Sequence, residues 1–314
     1  MARVGVLNNP HAGGNKNGKI DRFTLESLLC DNGGVFVDVD EDIDRAIDYV
    51  EKNNVDVVAS NGGDGTFHRI LNRYIKGQLE KNKFLETTEI VLPRFLVLPS
   101  GTANVIAYNS VRGENTETVL KRVINTEYYN LKILNVRTLY INCDEKDQFG
   151  TIFAAGSVYN FMQIYENLNN GKKNKKKALD IILKGTFNSK FGNSIIKTTN
   201  ADLQIGEGLK DEGYSALLVC GFKPNIVGIK PFNELEDMDN GLYCAYTKMG
   251  RIKLIMGLPL LLMGKKINGA NYFSGVEEIR IKSNEKIGYT LDGELFEGHD
   301  IIINPGPTIK IIKI

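Results

Sequence analysis

The chain has 314 residues, room for two domains at ~100–200 residues each, and its 42% hydrophobic and 25% charged residues exclude a disordered tail. Its 39 basic and 38 acidic residues leave a net charge of +1, which supplies no field for holding a nucleic-acid backbone. The four cysteines lack C-x-x-C spacing, which argues against a zinc ribbon and a disulfide framework, and no run approaches the ~18 apolar residues of a membrane span. The opening MARVGVLNNPHAGG lacks the apolar stretch of a secretory signal, so a reducing cytoplasm is the expected setting.

From residue 3 to about 125, short β-branched runs alternate with helical periodicity, as in β-α-β units. Strands are expected at 3–7, 35–39, 55–59 and 95–98, with helices at 20–29, 43–51, 66–75 and 103–108. Such a pattern predicts a doubly wound layer of parallel strands. After about residue 130, alternating runs bounded by Gly, Asn and Asp predict antiparallel strands at 131–142, 151–155, 202–206, 214–220, 241–247, 278–282 and 287–291. Helices interrupt this half at 161–184 and 249–263. The last strand, 308–314, is apolar on both faces and is expected to dock into a sheet.

The glycines, 32 in all, cluster at the ends of predicted strands. In SNGGDGT, Gly62, Gly63 and Gly65 surround Asp64 where a strand passes into a helix at Thr66. Glycines there let backbone N–H groups approach phosphate oxygens, and the helix amino end favours an anion. A carboxylate suits a phosphate poorly, so Asp64 points to a metal ion, its water or a substrate hydroxyl; it also reads as a helix cap. The turn Pro99-Ser100-Gly101-Thr102-Ala103-Asn104 repeats this grammar, and Asn9, Pro10, Gly13 and Gly14 form a third loop at the same edge. Residues 13–19 imitate a P-loop, but Ile20 stands where that motif needs Ser or Thr for magnesium.

Near the end, Asp292-Gly293 is a strong hairpin signal. If the segment instead stays extended, Asp292 and Glu294 point to one side of a sheet and form a pair suited to taking a proton from a hydroxyl. His11, His68 and His299 read as surface or capping residues. The run at 171–177, with five lysines, reads as a solvated loop or as an attraction to an anionic membrane. The greasy run at 254–264 reads first as a core helix, with Lys265 and Lys266 keeping an interfacial role open.

Taken in order, NPHAGG, NGGDGTFHRILN, LPSGTANVIA and LDGE resemble the diacylglycerol kinase catalytic-domain superfamily, the soluble lipid kinases that include bacterial diacylglycerol, sphingosine and ceramide kinases. The resemblance implies an amino-terminal α/β ATP domain, 1–127, onto which 308–314 can dock, and a carboxyl-terminal antiparallel β-sandwich lipid domain, 128–307, with the active site in the cleft between them. It carries nucleotide contacts onto Asn9, Gly13, Gly62, Gly63, Asp64, Gly65, Thr66, Gly101 and Thr102, in loops that add Pro10, Gly14 and Asn104. Glu294, with Asp292 beside it, falls on the family's acidic pair, activating a lipid hydroxyl for attack on the γ-phosphate of ATP, and magnesium at Asp64 bridges the phosphates. A structural magnesium site falls on Asp237, Asn240 and Leu242, with asparagine where the family has aspartate and with Asp239 nearby. Arg69 and Val105 stand where many members carry acidic residues. The implied activity is an ATP- and magnesium-dependent kinase acting on a diacylglycerol-like or sphingoid lipid. It would work in the cytoplasm with transient contact to a membrane surface. An NAD kinase-like enzyme or an inactive nucleotide- or lipid-binding member is the alternative, and a homodimer is left open.

Overall fold

The computed structural model describes residues 2–13, 22–39, 42–85, 90–101, 105–111, 113–169, 189–226, 228–238 and 240–314. Gly14, Thr102, Asn104 and Asp239, the lysine run at 171–177 and most of the P-loop-like stretch lie outside the described residues. The chain divides into two compact units, Met1–Val136 with Pro307–Ile314, and Arg137–Gly306. The change of unit thus falls after residue 136, inside a long strand, rather than at 127.

In the first unit, β1 (Val4–Asn8), β2 (Val35–Asp38), β3 (Val57–Gly62) and β4 (Arg94–Pro99) alternate with α1 (Arg22–Cys30), α2 (Ile43–Lys52), α3 (Asp64–Leu85), α4 (Val105–Val111) and α5 (Thr116–Ile124). The strands pair in the order β2-β1-β3-β4, all parallel. β1 and β3 are buried along their whole length, which is why they read as continuous apolar runs. Local chemistry starts the helices: Asp42 accepts the Arg45 N–H at 2.9 Å to cap α2, and Asn115 accepts the Thr118 N–H at 2.8 Å to cap α5. α3 runs to Leu85, past the expected end at Ile75. One interior glycine, Gly77, costs about 1 kcal/mol and is outweighed by Phe67, Ile70, Leu71, Tyr74 and Ile75, which repeat at helical spacing and bury against the sheet. Phe67 and Tyr74 both meet Phe95 edge-on, with centroids at 5.7 and 5.6 Å.

The second unit is mostly antiparallel. β5 (Ile133–Cys143), which begins in the first unit, is followed by β6 (Lys146–Gly150), β7 (Ile152–Gly156), α6 (Ser157–Asn169), α7 (Ser189–Ile195), β8 (Thr199–Ile205), β9 (Leu209–Tyr214) and β10 (Ala216–Cys220). β11 (Leu242–Thr247), α8 (Arg251–Leu262), β12 (Ala270–Val276), β13 (Ile279–Leu291) and β14 (Glu294–Ile312) complete it. One ladder runs β12-β11-β10-β7-β13-β14. The first half of β13 pairs with β8 and its second half with β7, so one long strand carries two ladders of one sheet over a shared core. Expected strands at 278–282 and 287–291 are therefore a single strand, with a register shift between Lys282 and Ile287. The end of β14 returns to the first unit, where Lys310 and Ile311 pair parallel with Arg94 and Phe95. Cys220 and Cys244 are buried in this unit, and burial pushes both thiols up, so they serve as packing groups.

Two departures from the sequence expectations have physical causes. Strands β6, β9 and β12 carry too many polar or glycine residues to alternate cleanly. The expected core helix at 249–263 is α8, and it lies on the surface: within it only Gly257 is buried. Among the described residues, no helix is long and apolar enough to cross a membrane.

The hairpin joining β5 to β6 turns at Asp144 and Glu145, both at positive φ. Asp144 accepts N–H bonds from His299 at 3.1 Å and Asp300 at 3.1 Å, and the Asp300 bond, then the His299 bond, holds its carboxyl below the usual range. A carboxylate with a lowered folded-state pKa adds stability that is fully present above its unfolded value and is lost as pH falls through the lowered one. Asp144→Asn is expected to flatten the acid side of the stability curve, read by denaturant melts between about pH 2 and 5; an unchanged acid limb contradicts this.

Candidate active site

At the carboxyl ends of the parallel strands, the turns after β1, β3 and β4 come together. β1 lies between β2 and β3, so the chain reverses its direction of travel across the sheet there, and open α/β sheets hold ligands at that crevice. Asn9 ties two of the turns: its N–H donates to the Asn61 carbonyl at 2.9 Å, and its Nδ2 donates to Thr66 Oγ1 at 2.9 Å. Its own Oδ1 accepts the His11 N–H at 2.9 Å, which shapes the Pro10 turn. A Cβ on Gly62 would stand 2.5 Å from Thr66 Oγ1, so only glycine fits where the strand turns into α3. A Cβ on Gly63 would stand 3.6 Å from the Gly101 Cα, which brings the second glycine turn against the first. Gly13 is exposed in the loop after β1. Asn9, Pro10, Gly13, Gly62, Gly63, Asp64, Gly65, Thr66 and Gly101 are thus assembled at one sheet edge, where the 22-residue helix α3 begins.

Beneath these turns runs a polar relay that sequence reasoning missed. Asn8 Nδ2 donates to Asp38 Oδ1 at 2.6 Å, Asn61 Nδ2 donates to Asn8 Oδ1 at 2.7 Å, and Ser100 Oγ donates to Asn61 Oδ1. Thr116 Oγ1 lies 3.5 Å from Ser100 Oγ. Asn8, Asn61, Ser100 and Thr116 are all buried, so the relay fixes the ends of all four strands from below. The one available signal was a polar residue closing each apolar strand.

Asp64 opens α3, and its Oδ2 accepts the Val105 N–H at 3.0 Å. The carboxylate therefore holds the first turn of α4 as well as lying in the glycine turn. Asp64→Asn keeps an acceptor for Val105 but removes the charge. The expected result is an unchanged melting temperature, whereas Asp64→Ala loses about 1 kcal/mol of stability. Equal melting temperatures of Asp64→Ala and wild type, read by thermal denaturation, would remove the Val105 bond from that role. Of the histidines, His68 is buried on α3, 3.3 Å from Asn72 Nδ2, while His11 and His299 are exposed.

In the second unit, the extended arrangement of Asp292 and Glu294 is overturned. Asp292 (φ 51) and Gly293 (φ 88) are the two central residues of a tight hairpin that pairs Leu291 with Glu294. Positive φ at both positions is what the Asp-Gly pair favours. The Asp292 carboxylate turns inward: Oδ1 accepts the Thr151 N–H at 3.0 Å, the Thr151 hydroxyl at 2.7 Å and the Ile152 N–H at 3.0 Å. Glu294 is exposed at the start of β14. The two carboxylates are therefore not a side-by-side pair; one braces the hairpin and the other stands open to solvent. Glu297, three residues on, lies on the opposite face of β14 from Glu294 and accepts the Tyr159 hydroxyl at 2.8 Å. Burial first, then this bond, pushes the Tyr159 phenol up to about 12.

The described side chains expected at a structural magnesium site, Asp237 and Asn240, each face a cationic side chain instead. Asp237 Oδ1 pairs with Lys223 Nζ at 2.7 Å, and Asn240 Oδ1 accepts from the Arg137 guanidinium at 2.8 Å. Leu242 begins β11, and among the described residues no group of three His, Cys, Asp or Glu side chains is arranged to hold a metal.

Residues 3–136 match the family model described as the diacylglycerol kinase catalytic domain, and the match ends with the first unit's long segment, at Val136. No curated protein matches the sequence. Among solved structures, a diacylglycerol kinase from Bacillus anthracis str. Sterne is similar with a TM-score of 0.55 at 17% identity, over 100% of this chain and 97% of that one. Two further structures from that organism, each described as a candidate diacylglycerol kinase, give TM-scores of 0.62 and 0.60 at 16% identity with the same coverage. At these identities the likeness is one of fold.

Proposed function

We propose that the chain, whose residues 3–136 match the diacylglycerol kinase catalytic domain, transfers the γ-phosphate of ATP, with magnesium, to a hydroxyl of a diacylglycerol-like or sphingoid lipid. The observation that carries the reading is the junction of the two glycine turns, Gly63 against Gly101, at the head of α3 with Asp64 inside it. Such a junction offers backbone N–H donors in a space that side chains would fill, and this suits phosphate oxygens. Asp64 would hold magnesium, an ion satisfied by one or two carboxylates together with phosphates. Bound there, the metal supplies charge neutralisation on the transferring group.

The remaining work falls to this chain's own side chains. Asn9 and Thr66 keep the loop after β1 on the glycine turn, so the phosphate-facing amides are set before the nucleotide arrives. Glu294, exposed on a braced hairpin, accepts the proton of the attacking hydroxyl. In phosphoryl transfer such positioning outweighs covalent chemistry. The setting we propose is the cytoplasm, with transient contact to a membrane that holds the lipid.

The test is transfer of label from γ-labelled ATP and magnesium to a panel of lipids in mixed micelles, with NAD and a lipid-free sample alongside. A labelled lipid is the expected result and identifies the acceptor. Label on NAD alone, or on nothing although ATP binds, overturns the reading.

A further inference from the structure

The helix α8 is apolar on every side, and its outward face is the feature that the proposed chemistry does not use. Ile252, Met256, Leu260 and Met263 recur at spacings of four, four and three, which makes one stripe, and they are 65%, 72%, 36% and 66% exposed. Leu262 beside them is 54% exposed. Of the large apolar side chains exposed among the described residues of the second unit, all but Val158 lie on this segment. The inward face is anchored: a Cβ on Gly257 would stand 2.6 Å from Ile267 Cδ1, and the Lys230 N–H donates to the Leu261 carbonyl at 3.1 Å. The stripe therefore faces outward because the other side of the helix is already packed.

Charge tells what the stripe suits. Residues 241–276 contain no Asp or Glu, while Lys248, Arg251, Lys253, Lys265 and Lys266 all fall within them. Lys253, Lys265 and Lys266 are exposed at the two ends of the helix, and Lys230 is exposed on the segment bound to its last turn. The acidic neighbours are Glu234, whose carboxylate accepts the Lys266 N–H at 2.9 Å, and Asp211, which pairs with Lys248 and leaves Lys253, Lys265, Lys266 and Lys230 as the basic rim. A second copy docked about a two-fold axis would set this basic rim against itself, which is repulsive. A bilayer with anionic head groups takes both parts, the apolar stripe among the acyl chains and the cations at the head-group level.

We propose that α8 is the membrane-docking surface of this protein, lying in the plane of an anionic lipid surface with Ile252, Met256, Leu260 and Met263 immersed. The proposal deepens the membrane contact suggested above and rests on that part of it alone, so docking is read without nucleotide. The experiment sediments the full chain with vesicles of phosphatidylcholine, or of phosphatidylcholine with about a third phosphatidylglycerol. Each cation near the surface adds about 5-fold, so anionic vesicles are expected to bind at least 25-fold more tightly, with the preference fading in high salt. Ile252→Gln/Met256→Gln/Met263→Gln is expected to lose more than 10-fold of this binding at an unchanged melting temperature. Lys253→Gln/Lys265→Gln/Lys266→Gln is expected to lose only the anionic preference.

Wild-type vesicle binding by the apolar variant overturns the proposal, as does failure of the native chain to bind either vesicle. A native dimer that the apolar variant dissociates overturns it in favour of a second copy. Phosphoryl transfer to a short-chain, monomeric diacylglycerol is measured on the same proteins. Its absence would strike the kinase reading and leave docking standing, and its persistence in the apolar variant separates docking from chemistry.

Discussion

Glu294→Gln is expected to lower kcat by about 10²–10⁴, the usual contribution of a positioned general base, while ATP affinity and melting temperature stay at their native values. The side chain is exposed and begins β14 immediately after the turn, so no packing or buried hydrogen bond is lost with its charge. Glutamine keeps the size and the polar end but cannot take the proton of an attacking hydroxyl. Isothermal titration with a non-hydrolysable ATP analogue, paired with steady-state kinetics on the lipid identified by the labelling panel, separates the two effects. Turnover within a factor of a few of wild type would remove Glu294 from the reaction and leave Glu297, on the other face of the strand, as the carboxylate to test next.

Asp292→Ala acts on the fold instead. Removing the carboxylate strands the Thr151 and Ile152 N–H groups and the Thr151 hydroxyl in a site where Asp292 itself is 7% exposed. It also places alanine at a φ of 51, where asparagine or aspartate is tolerated far better. Together these cost about 3 kcal/mol, or roughly 6–12 °C in melting temperature for a unit of this size. Asp292→Asn keeps an oxygen for the amides and tolerates the turn, so it is expected to lose about 1 kcal/mol and to retain most of the turnover. Loss of turnover in a fully folded Asp292→Asn protein would show that this carboxylate touches the substrate; retention makes it the residue that positions Glu294.

Much of this architecture is legible in the amino-acid sequence. The parallel order of the first four strands follows from apolar runs separated by helical periodicity, because a strand buried on both faces has no polar side to reveal. The glycine turns are readable because a Cβ at Gly62 is incompatible with the bend into α3. Asp292-Gly293 is readable as a hairpin, since few residue pairs accept positive φ twice in succession.

What stays hidden depends on partners distant in the chain. The inward turn of the Asp292 carboxylate is decided by Thr151, 141 residues away, and the relay from Asp38 to Thr116 joins the ends of four strands that no local window contains. The surface position of α8 is concealed for a related reason. A helix that is apolar all round carries no periodicity to say which face is inside, so its composition points to burial. Residue types and their local spacing therefore determined the parallel layer, the glycine turns and the Asp-Gly hairpin, because each is governed by the conformational limits of a few adjacent residues. Only the tertiary structure decided which carboxylate braces and which is free, and which face of α8 meets solvent, because those outcomes are set by hydrogen bonds and packing between segments far apart in sequence.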